Sequence, residues 1–93
     1  MLRFAFARSF EKTLKRLPSP EKVAVQRRVD SFMLAMDVRQ IPTGFGVKKL
    51  AGDLWEFRTD IAMRVLFQWK KAEITFLLVG NHNEVQRFLK NYL

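Results

Sequence analysis

Three β-rich segments follow one another closely in the second half of the sequence, and the short connections between them limit the fold more than any other feature. The segments are residues 53 to 58 (DLWEFR), 61 to 69 (IAMRVLFQW) and 73 to 79 (EITFLLV). Connections this short leave no room for a crossover, so consecutive strands are expected to pair antiparallel. The sequence therefore predicts a small antiparallel β-sheet.

The N-terminal part predicts one strand followed by two helices. Residues 2 to 6 alternate between bulky apolar and other side chains, as in a strand. The apolar residues that next recur at helical spacing are Phe6, Phe10, Leu14 and Leu17. Pro18 and Pro20 interrupt this helix, and Ser19 followed by Pro20 is expected to cap a second one that ends near Val38. The second helix is expected to bury Val25, Val29, Phe32, Met33 and Met36. Helices joined so closely predict an antiparallel hairpin.

A third helix is predicted at the C-terminus, with an apolar face made of Val85, Phe88, Leu89 and Tyr92. Asn83 is expected to cap it, because Gln86 completes the pattern of a capping box. Residues 39 to 46 (RQIPTGFG) contain helix and strand breakers and predict a loop. The predicted fold class is α+β, a small antiparallel β-sheet packed against an N-terminal helical hairpin in the order β-α-α-β-β-β-α. Residues 1 to 93 are expected to form a single domain.

The net charge limits the class of partner. Seventeen Lys and Arg residues against nine Asp and Glu residues give a formal net charge of +8 in 93 residues. A domain this basic usually binds a polyanion, which leaves nucleic acid, an acidic protein and a membrane surface open. A basic surface that is merely solvated is the plain alternative.

Composition also excludes some classes of site. The sequence has no cysteine, which excludes disulfides, thiolate catalysis and zinc-finger sites and is compatible with a reducing cytoplasm. No apolar run approaches the roughly 20 residues that a membrane-spanning helix needs. The basic N-terminus MLRFAFARSF has some likeness to a transit peptide, but its alternation favours a first strand.

Side-chain alternation divides the predicted hairpin of the second and third strands into two faces. One face is bulky and apolar, which suits it to the helices, and comprises Trp55, Phe57, Ile61, Met63, Val65, Phe67 and Trp69. The mixed face comprises Leu54, Glu56, Arg58, Ala62, Arg64, Leu66 and Gln68. If the turn spans residues 60 to 62, Arg58 lies directly opposite Arg64, and an anion bound between them would relieve their repulsion. Two arginines on a solvated face remain the alternative.

Lys48 and Lys49 lie just before the second strand, in the stretch GVKKLAG. The spacing is not that of a Walker phosphate-binding loop. Flexible backbone beside two lysines can still bind phosphate groups, so the pair is a second candidate for contact with a nucleic-acid backbone.

These stretches together resemble a known family. The block VKKLAG-DLWEFRTD-IAMRVLF, followed by a strand that runs into LLVGNHNEVQRFL, is similar to the RelE/ParE superfamily of bacterial toxins from type II toxin–antitoxin modules. The resemblance extends over almost the whole chain, and the order and spacing of the segments carry it. It implies a small sheet packed against a helical hairpin, in a cytoplasmic protein.

In the RelE branch, the resemblance implies a ribosome-dependent endoribonuclease that cuts mRNA, with the RNA 2′-OH attacking the adjacent phosphate. Basic side chains can move the protons and stabilise the phosphorane, so no metal or other cofactor is expected. The positions that match catalytic residues of the family are Arg64, His82 and Lys49. The positions expected to bind RNA are Lys48, Arg58 and Arg87.

His82 is the only histidine in the chain and follows the last predicted strand. Histidine changes its charge near neutral pH, which suits it to proton transfer. A histidine that only helps to cap the following helix is the structural alternative.

Two other functions remain open from the sequence. Some members of the superfamily inhibit DNA gyrase without catalysis, and a non-catalytic regulator that binds nucleic acid would carry the same charge. The partners that the resemblance implies are a cognate antitoxin protein encoded by an adjacent gene, the ribosome and mRNA, and no membrane.

Overall fold

The computed structural model describes residues 1–38, 40, 44–60 and 62–92. In this part of the chain the elements follow in the order β1 (Arg3–Phe6), α1 (Arg8–Lys15), α2 (Ser19–Asp37), β2 (Lys48–Ala51), β3 (Leu54–Arg58), β4 (Arg64–Lys70), β5 (Glu73–Gly80) and α3 (His82–Tyr92). The predicted α+β architecture, with two helices before the sheet and one after it, is confirmed. Ile61, predicted on the third strand, and loop residues 39 and 41 to 43 lie outside the described residues.

The strands form one sheet in the order β1-β5-β4-β3-β2. Strands β2 to β5 pair antiparallel, and for β3, β4 and β5 this is the pairing that the short connections predict. The sheet is nevertheless mixed, because β1 pairs with β5 in parallel. These two strands are far apart in sequence, so no local turn sets their relative direction.

Strand β2 is an addition to the predicted order. It places Lys48 and Lys49 on an edge strand, where a flexible loop was expected, and pairs with β3 across a turn at Gly52. Gly52 has a φ of 54°, the left-handed region that glycine adopts without steric cost. The four residues KKLA are too short to show alternation, so pairing with β3 decides their conformation.

The helical hairpin covers the predicted apolar face of the sheet. The buried residues of this core are Phe10, Val25, Val29, Phe32, Met36, Phe45, Phe57, Val65, Phe67, Ile74, Phe76 and Val79. Phe32 of α2 is fully buried and stacks on Phe57 of β3 with ring centroids 4.3 Å apart. Helix α2 begins at Ser19 with Pro18 as its N-cap, one residue earlier than expected. Its end at Asp37 agrees with the predicted boundary near Val38.

Helix α1 also covers the edge of β5 where β1 no longer reaches. The register of β1 ends at Phe76, which would leave the following backbone groups of β5 unpaired. The Ser9 hydroxyl donates to the Leu77 carbonyl at 2.6 Å, and the Thr13 hydroxyl accepts from the Val79 N–H at 3.1 Å. Side chains of α1 therefore replace a missing strand.

Helix α3 packs on the opposite face of the sheet. Its buried residues Val85 and Leu89 belong to a second core with Leu54, Leu66, Leu77 and Leu78. At its far end, the Tyr92 hydroxyl lies 3.3 Å from Gln68 Nε2. Since Gln68 is near the end of β4 opposite to Arg64, α3 begins at the sheet end that carries Arg64 and runs away from it.

The cap of α3 differs from the predicted one. The Asn81 side chain accepts from the Glu84 N–H at 2.8 Å, and the Glu84 carboxylate accepts from the Asn81 N–H at 2.9 Å. This is a capping box two residues before the predicted pair Asn83 and Gln86. Both residue pairs fit the capping-box motif. The Glu84 carboxylate is favoured over the Gln86 amide because a negative charge is stabilised at the positive end of a helix.

Candidate nucleic-acid interface

Arg58 and Arg64 face each other across β3 and β4, as the assumed turn predicts. The Asp60 carboxylate sets this register, because it accepts from the N–H groups of Ala62 at 2.7 Å and Met63 at 2.8 Å. A short acidic side chain that binds the following backbone is a common device of tight turns. Two like charges held opposite each other repel, which makes this end of the sheet attractive to an anion.

Glu56 is a residue of the site that sequence reasoning did not select. Its carboxylate lies 3.2 Å from Arg64 Nε, and the two side chains are only 9% and 16% exposed. Glu56 pairs directly with Leu66, which makes Arg64 its diagonal neighbour on the same face. Alternation had already placed Glu56 among the arginines of the mixed face, and that single acid was the signal that could have identified the pair.

The ion pair leaves part of Arg64 free to act. Its Nε donates to Glu56, whereas its terminal nitrogens make no hydrogen bond to another described residue. A guanidinium held through Nε keeps its outer N–H groups in a fixed fork, the arrangement that suits a phosphate group.

Arg28 of α2 holds the end of β3 that carries Arg58. Its Nη2 lies 3.1 Å from both the Gly44 and the Arg58 carbonyl oxygens, and its guanidinium lies 3.8 Å from the Phe45 ring centroid. The Arg58 N–H in turn donates to the Phe45 carbonyl at 2.6 Å. The backbone of Arg58 is therefore fixed, while its side chain is exposed and passes beside Gly46.

His82 is the first residue of α3 and is exposed. Strand β5 ends at Gly80, which pairs with Arg64, so the chain enters α3 directly beside the arginine pair. A helix turns about 100° per residue, which puts His82 on the same side of α3 as the buried Val85 and Leu89. His82 is therefore placed on the side of α3 that faces the sheet, at the end of the sheet where Arg58 and Arg64 lie, and its side chain is exposed.

The structure separates Lys48 from Lys49. Lys48 pairs with Glu56 and shares the face of Arg58 and Arg64. Lys49 pairs with Trp55, and its Nζ lies 5.9 Å from the Trp55 ring centroid on the opposite face. Consecutive residues of a strand point to opposite sides, so the two lysines cannot act at one site as a loop would allow.

Arg87 is not brought to the arginine pair either. It lies midway between the buried Val85 and Leu89 in sequence, which directs it away from the sheet and into solvent. The structure thus places Arg58, Arg64, His82 and Lys48 around one face and one end of the sheet.

This arrangement can bind an anion and move a proton beside it. Two guanidinium groups and a lysine provide the positive charge, and an exposed imidazole provides the titratable group. Within the described ranges, no three His, Asp or Glu side chains lie close enough together to hold a metal ion. None of the described helices combines the length and the apolar character of a membrane-spanning segment.

Comparisons with known proteins identify the fold. No protein-family profile matches the sequence, and no curated protein matches it. Among solved structures, a chain of the Escherichia coli DinJ–YafQ complex has a TM-score of 0.73 at 11% identity, over 91% of this chain and 98% of that one. A chain of the RelB–RelE antitoxin–toxin complex from Methanococcus jannaschii has a TM-score of 0.67 at 16% identity, over 90% and 96%.

A chain of the archaeal RelE–RelB complex from Pyrococcus horikoshii has a TM-score of 0.64 at 24% identity, over 86% of this chain and 93% of that one. In each case the similarity covers at least 86% of this chain and at least 93% of the other chain. The resemblance in sequence is therefore confirmed at the level of the fold, and this chain has the fold of the RelE-like toxins.

Proposed function

We propose that this chain is the toxin of a type II toxin–antitoxin module and acts as a ribosome-dependent mRNA endoribonuclease. The observation that carries the proposal is the pair Arg58 and Arg64, opposed in register at the sheet end where α3 presents His82. The fold supports it, because similar chains occur in the RelB–RelE antitoxin–toxin complex. A formal net charge of +8 also supports it, because basic side chains bind the phosphate groups of RNA.

In the proposed reaction, the RNA 2′-oxygen attacks the adjacent phosphorus and the bond to the 5′-oxygen breaks, which leaves a 2′,3′-cyclic phosphate. The 2′-OH gives up a proton and the leaving 5′-oxygen gains one. Arg64 donates from its terminal nitrogens to the phosphorane oxygens, where negative charge increases in the transition state. Glu56 positions Arg64 and does not itself touch RNA.

His82 transfers one of the two protons in this scheme. It is the only imidazole in the chain, so a two-histidine acid–base pair is excluded. Arg58 and Lys48 bind the RNA backbone on the same face. Lys49 is left out of the proposed catalytic set because it lies over Trp55 on the other face of the sheet. Arg87 is directed away from the sheet, so in this proposal it contacts only RNA that extends beyond α3.

Single-turnover cleavage of mRNA on programmed ribosomes tests these roles. His82→Gln keeps a polar side chain at the helix start and should lose roughly 10²- to 10⁴-fold in rate if His82 transfers a proton. Asn83→Ala, the next exposed residue of α3, is the matched control and should cleave like the wild type. Wild-type rate and an unchanged pH profile in His82→Gln would show that the histidine is structural.

Arg64→Lys tests the second role without removing the positive charge from Glu56. It should lower the cleavage rate by about 10²-fold, because a lysine cannot present a fixed fork of N–H groups, while ribosome binding changes little. A rate loss that matches the loss of binding would contradict transition-state stabilisation.

The partner follows from the same proposal. An acidic protein encoded by an adjacent gene should bind the chain and suppress the growth arrest that the chain causes when expressed alone. Growth arrest with intact mRNA and damaged DNA would instead assign the chain to gyrase inhibition. Salt-sensitive nucleic-acid binding without arrest would assign it to a non-catalytic regulator.

A further inference from the structure

A second surface lies on the opposite side of the sheet from the arginine pair. Trp55 of β3 and Trp69 of β4 are both partly buried, with ring centroids 5.7 Å apart. They border a shallow depression of about 410 Å³ whose lining residues are Lys49, Gly52, Asp53, Trp55, Trp69 and Lys71. We call this surface the tryptophan platform.

Packing explains one side of the platform but leaves the other side open. Trp55 stacks on Phe67 with centroids 6.5 Å apart, and both indoles pack against the edge of the first core. The depression between them is bordered by strands and by the turns at Gly52 and Lys71, with no residue of α1 or α2 in its lining. The indoles therefore keep part of their surface in contact with solvent on a sheet face that is otherwise covered by helices.

Charge indicates what this surface binds. Lys49 and Lys71 flank the indoles and are both exposed. The one acid in the lining, Asp53, is drawn towards the other face, where its Oδ1 lies 3.5 Å from Gln68 Nε2. Aromatic faces between free lysines combine base stacking with phosphate attraction, the two interactions that bind single-stranded nucleic acid without sequence preference.

We infer that the tryptophan platform is a binding site for single-stranded RNA, with a base against the indoles and neighbouring phosphates at Lys49 and Lys71. A peptide of aspartate and glutamate would satisfy the lysines but offers no aromatic ring to stack on the indoles. Duplex RNA keeps its bases stacked and paired, so it cannot offer one either.

Edge strand β2 lies between the tryptophan platform and the face of the sheet that carries Arg58 and Arg64. Lys48 and Lys49 are neighbours on that edge and point to opposite faces, so a strand of RNA that passes over β2 meets a lysine on each side. The inference does not depend on the proposed cleavage, because a non-catalytic protein could bind RNA at the platform equally well.

Intrinsic fluorescence reads this site directly, since both tryptophans of the chain belong to the platform. Titration with oligouridine and oligoadenine RNA of about ten nucleotides should quench the emission to a plateau. Each lysine contact should contribute about 0.7 to the slope of log affinity against log salt. A duplex of the same length and oligoglutamate should quench much less.

Variants separate stacking from charge. Trp69→Leu keeps apolar volume in the core edge and should weaken binding about 5- to 150-fold, the loss of one stacked base. Lys49→Gln and Lys71→Gln should each weaken binding and reduce the salt slope. Lys12→Gln, an exposed lysine of α1 outside the lining, is the matched control.

Three results would overturn the inference. They are an absence of quenching, equal quenching by duplex RNA or oligoglutamate, and affinities of the Lys49 and Lys71 variants that equal those of the Lys12 variant. The lysine variants keep the test decisive even if Trp69→Leu fails to fold, because both lysines are exposed and neither belongs to a core.

Discussion

Glu56 and Arg64 form a mostly buried ion pair on a sheet face that is otherwise basic and apolar. Such a pair contributes little net stability compared with apolar residues of similar volume, but removing one partner leaves the other charge buried alone. Substitution of Arg64 is therefore expected to affect folding as well as activity. Sequence showed that Arg64 is on the mixed face, but it did not show that the residue is only 16% exposed.

Arg64→Ala should lower the free energy of unfolding by about 3 kcal/mol, because it strands the Glu56 carboxylate. The double variant Arg64→Met, Glu56→Leu should recover most of that loss while remaining inactive. Urea unfolding curves measure both. Equal stability of Arg64→Ala and the wild type would mean that the pair is open to solvent.

Gly80 is the residue at which β5 passes beneath the first turn of α3. A methyl group there would lie 2.9 Å from Glu84 Cβ, closer than real contacts of this kind allow. Gly80→Ala should therefore move the helix start or strain it, at a cost of about 1 to 3 kcal/mol. In a Glu84→Gly background the cost should shrink, because the clashing Cβ itself is gone. Additive costs in the double-mutant cycle would contradict this reading of the contact.

At the scale of elements, the start of α3 joins the fold to the proposed chemistry. The capping box of Asn81 and Glu84 satisfies two backbone N–H groups at the point where His82 is presented. Helix α3 otherwise depends on a narrow apolar stripe, Val85 and Leu89, against the sheet. A loss of the cap is therefore expected to loosen the first turn before the rest of the helix.

Asn81→Ala should cost about 1 kcal/mol of stability, the usual value of an N-cap, and speed amide hydrogen exchange in the first turn of α3. Asn83→Ala should cost almost no stability, which distinguishes the observed N-cap, Asn81, from the N-cap predicted from sequence, Asn83. A larger loss of stability in Asn83→Ala than in Asn81→Ala would show that Asn83 is the N-cap. Cleavage by Asn81→Ala should fall with the loosening of His82, whereas RNA binding at the tryptophan platform should not change.

At the scale of the whole molecule, basic residues outnumber acidic ones by 17 to 9. Among the described residues, the ion pairs are Arg3 with Glu73 at 4.0 Å and Arg64 with Glu56 at 3.2 Å. Self-repulsion of an unpaired basic surface lowers the stability of the compact state. An anionic partner would relieve it, on either face of the sheet.

Added salt should therefore stabilise the free chain. Between about 0.01 M and 0.15 M sodium chloride, screening of the surface charges should raise Tm by about 4 °C, which corresponds to ~1 kcal/mol in a domain of this size. Sucrose at matched osmolality controls for solvent exclusion. A Tm that falls with salt would mean that favourable ion pairs outweigh the repulsion.

Local sequence determined the elements and part of the site. Alternation and helical spacing are short-range properties, so they predicted the three helices, the antiparallel pairing of β3, β4 and β5, and the face that the hairpin covers. The opposition of Arg58 and Arg64 was predictable for the same reason, because one tight turn sets their register. The resemblance added the likeness to RelE-like toxins, which the fold confirms.

Tertiary structure alone decided what depends on contacts between distant segments. Nothing near β1 specifies that it pairs in parallel with β5, and nothing in KKLA specifies that it becomes an edge strand that directs Lys48 and Lys49 to opposite faces. The burial of Glu56 against Arg64 requires α3 to cover the same face. Pairing and burial depend on which surfaces meet across the whole chain, and short-range periodicity carries no information about that choice.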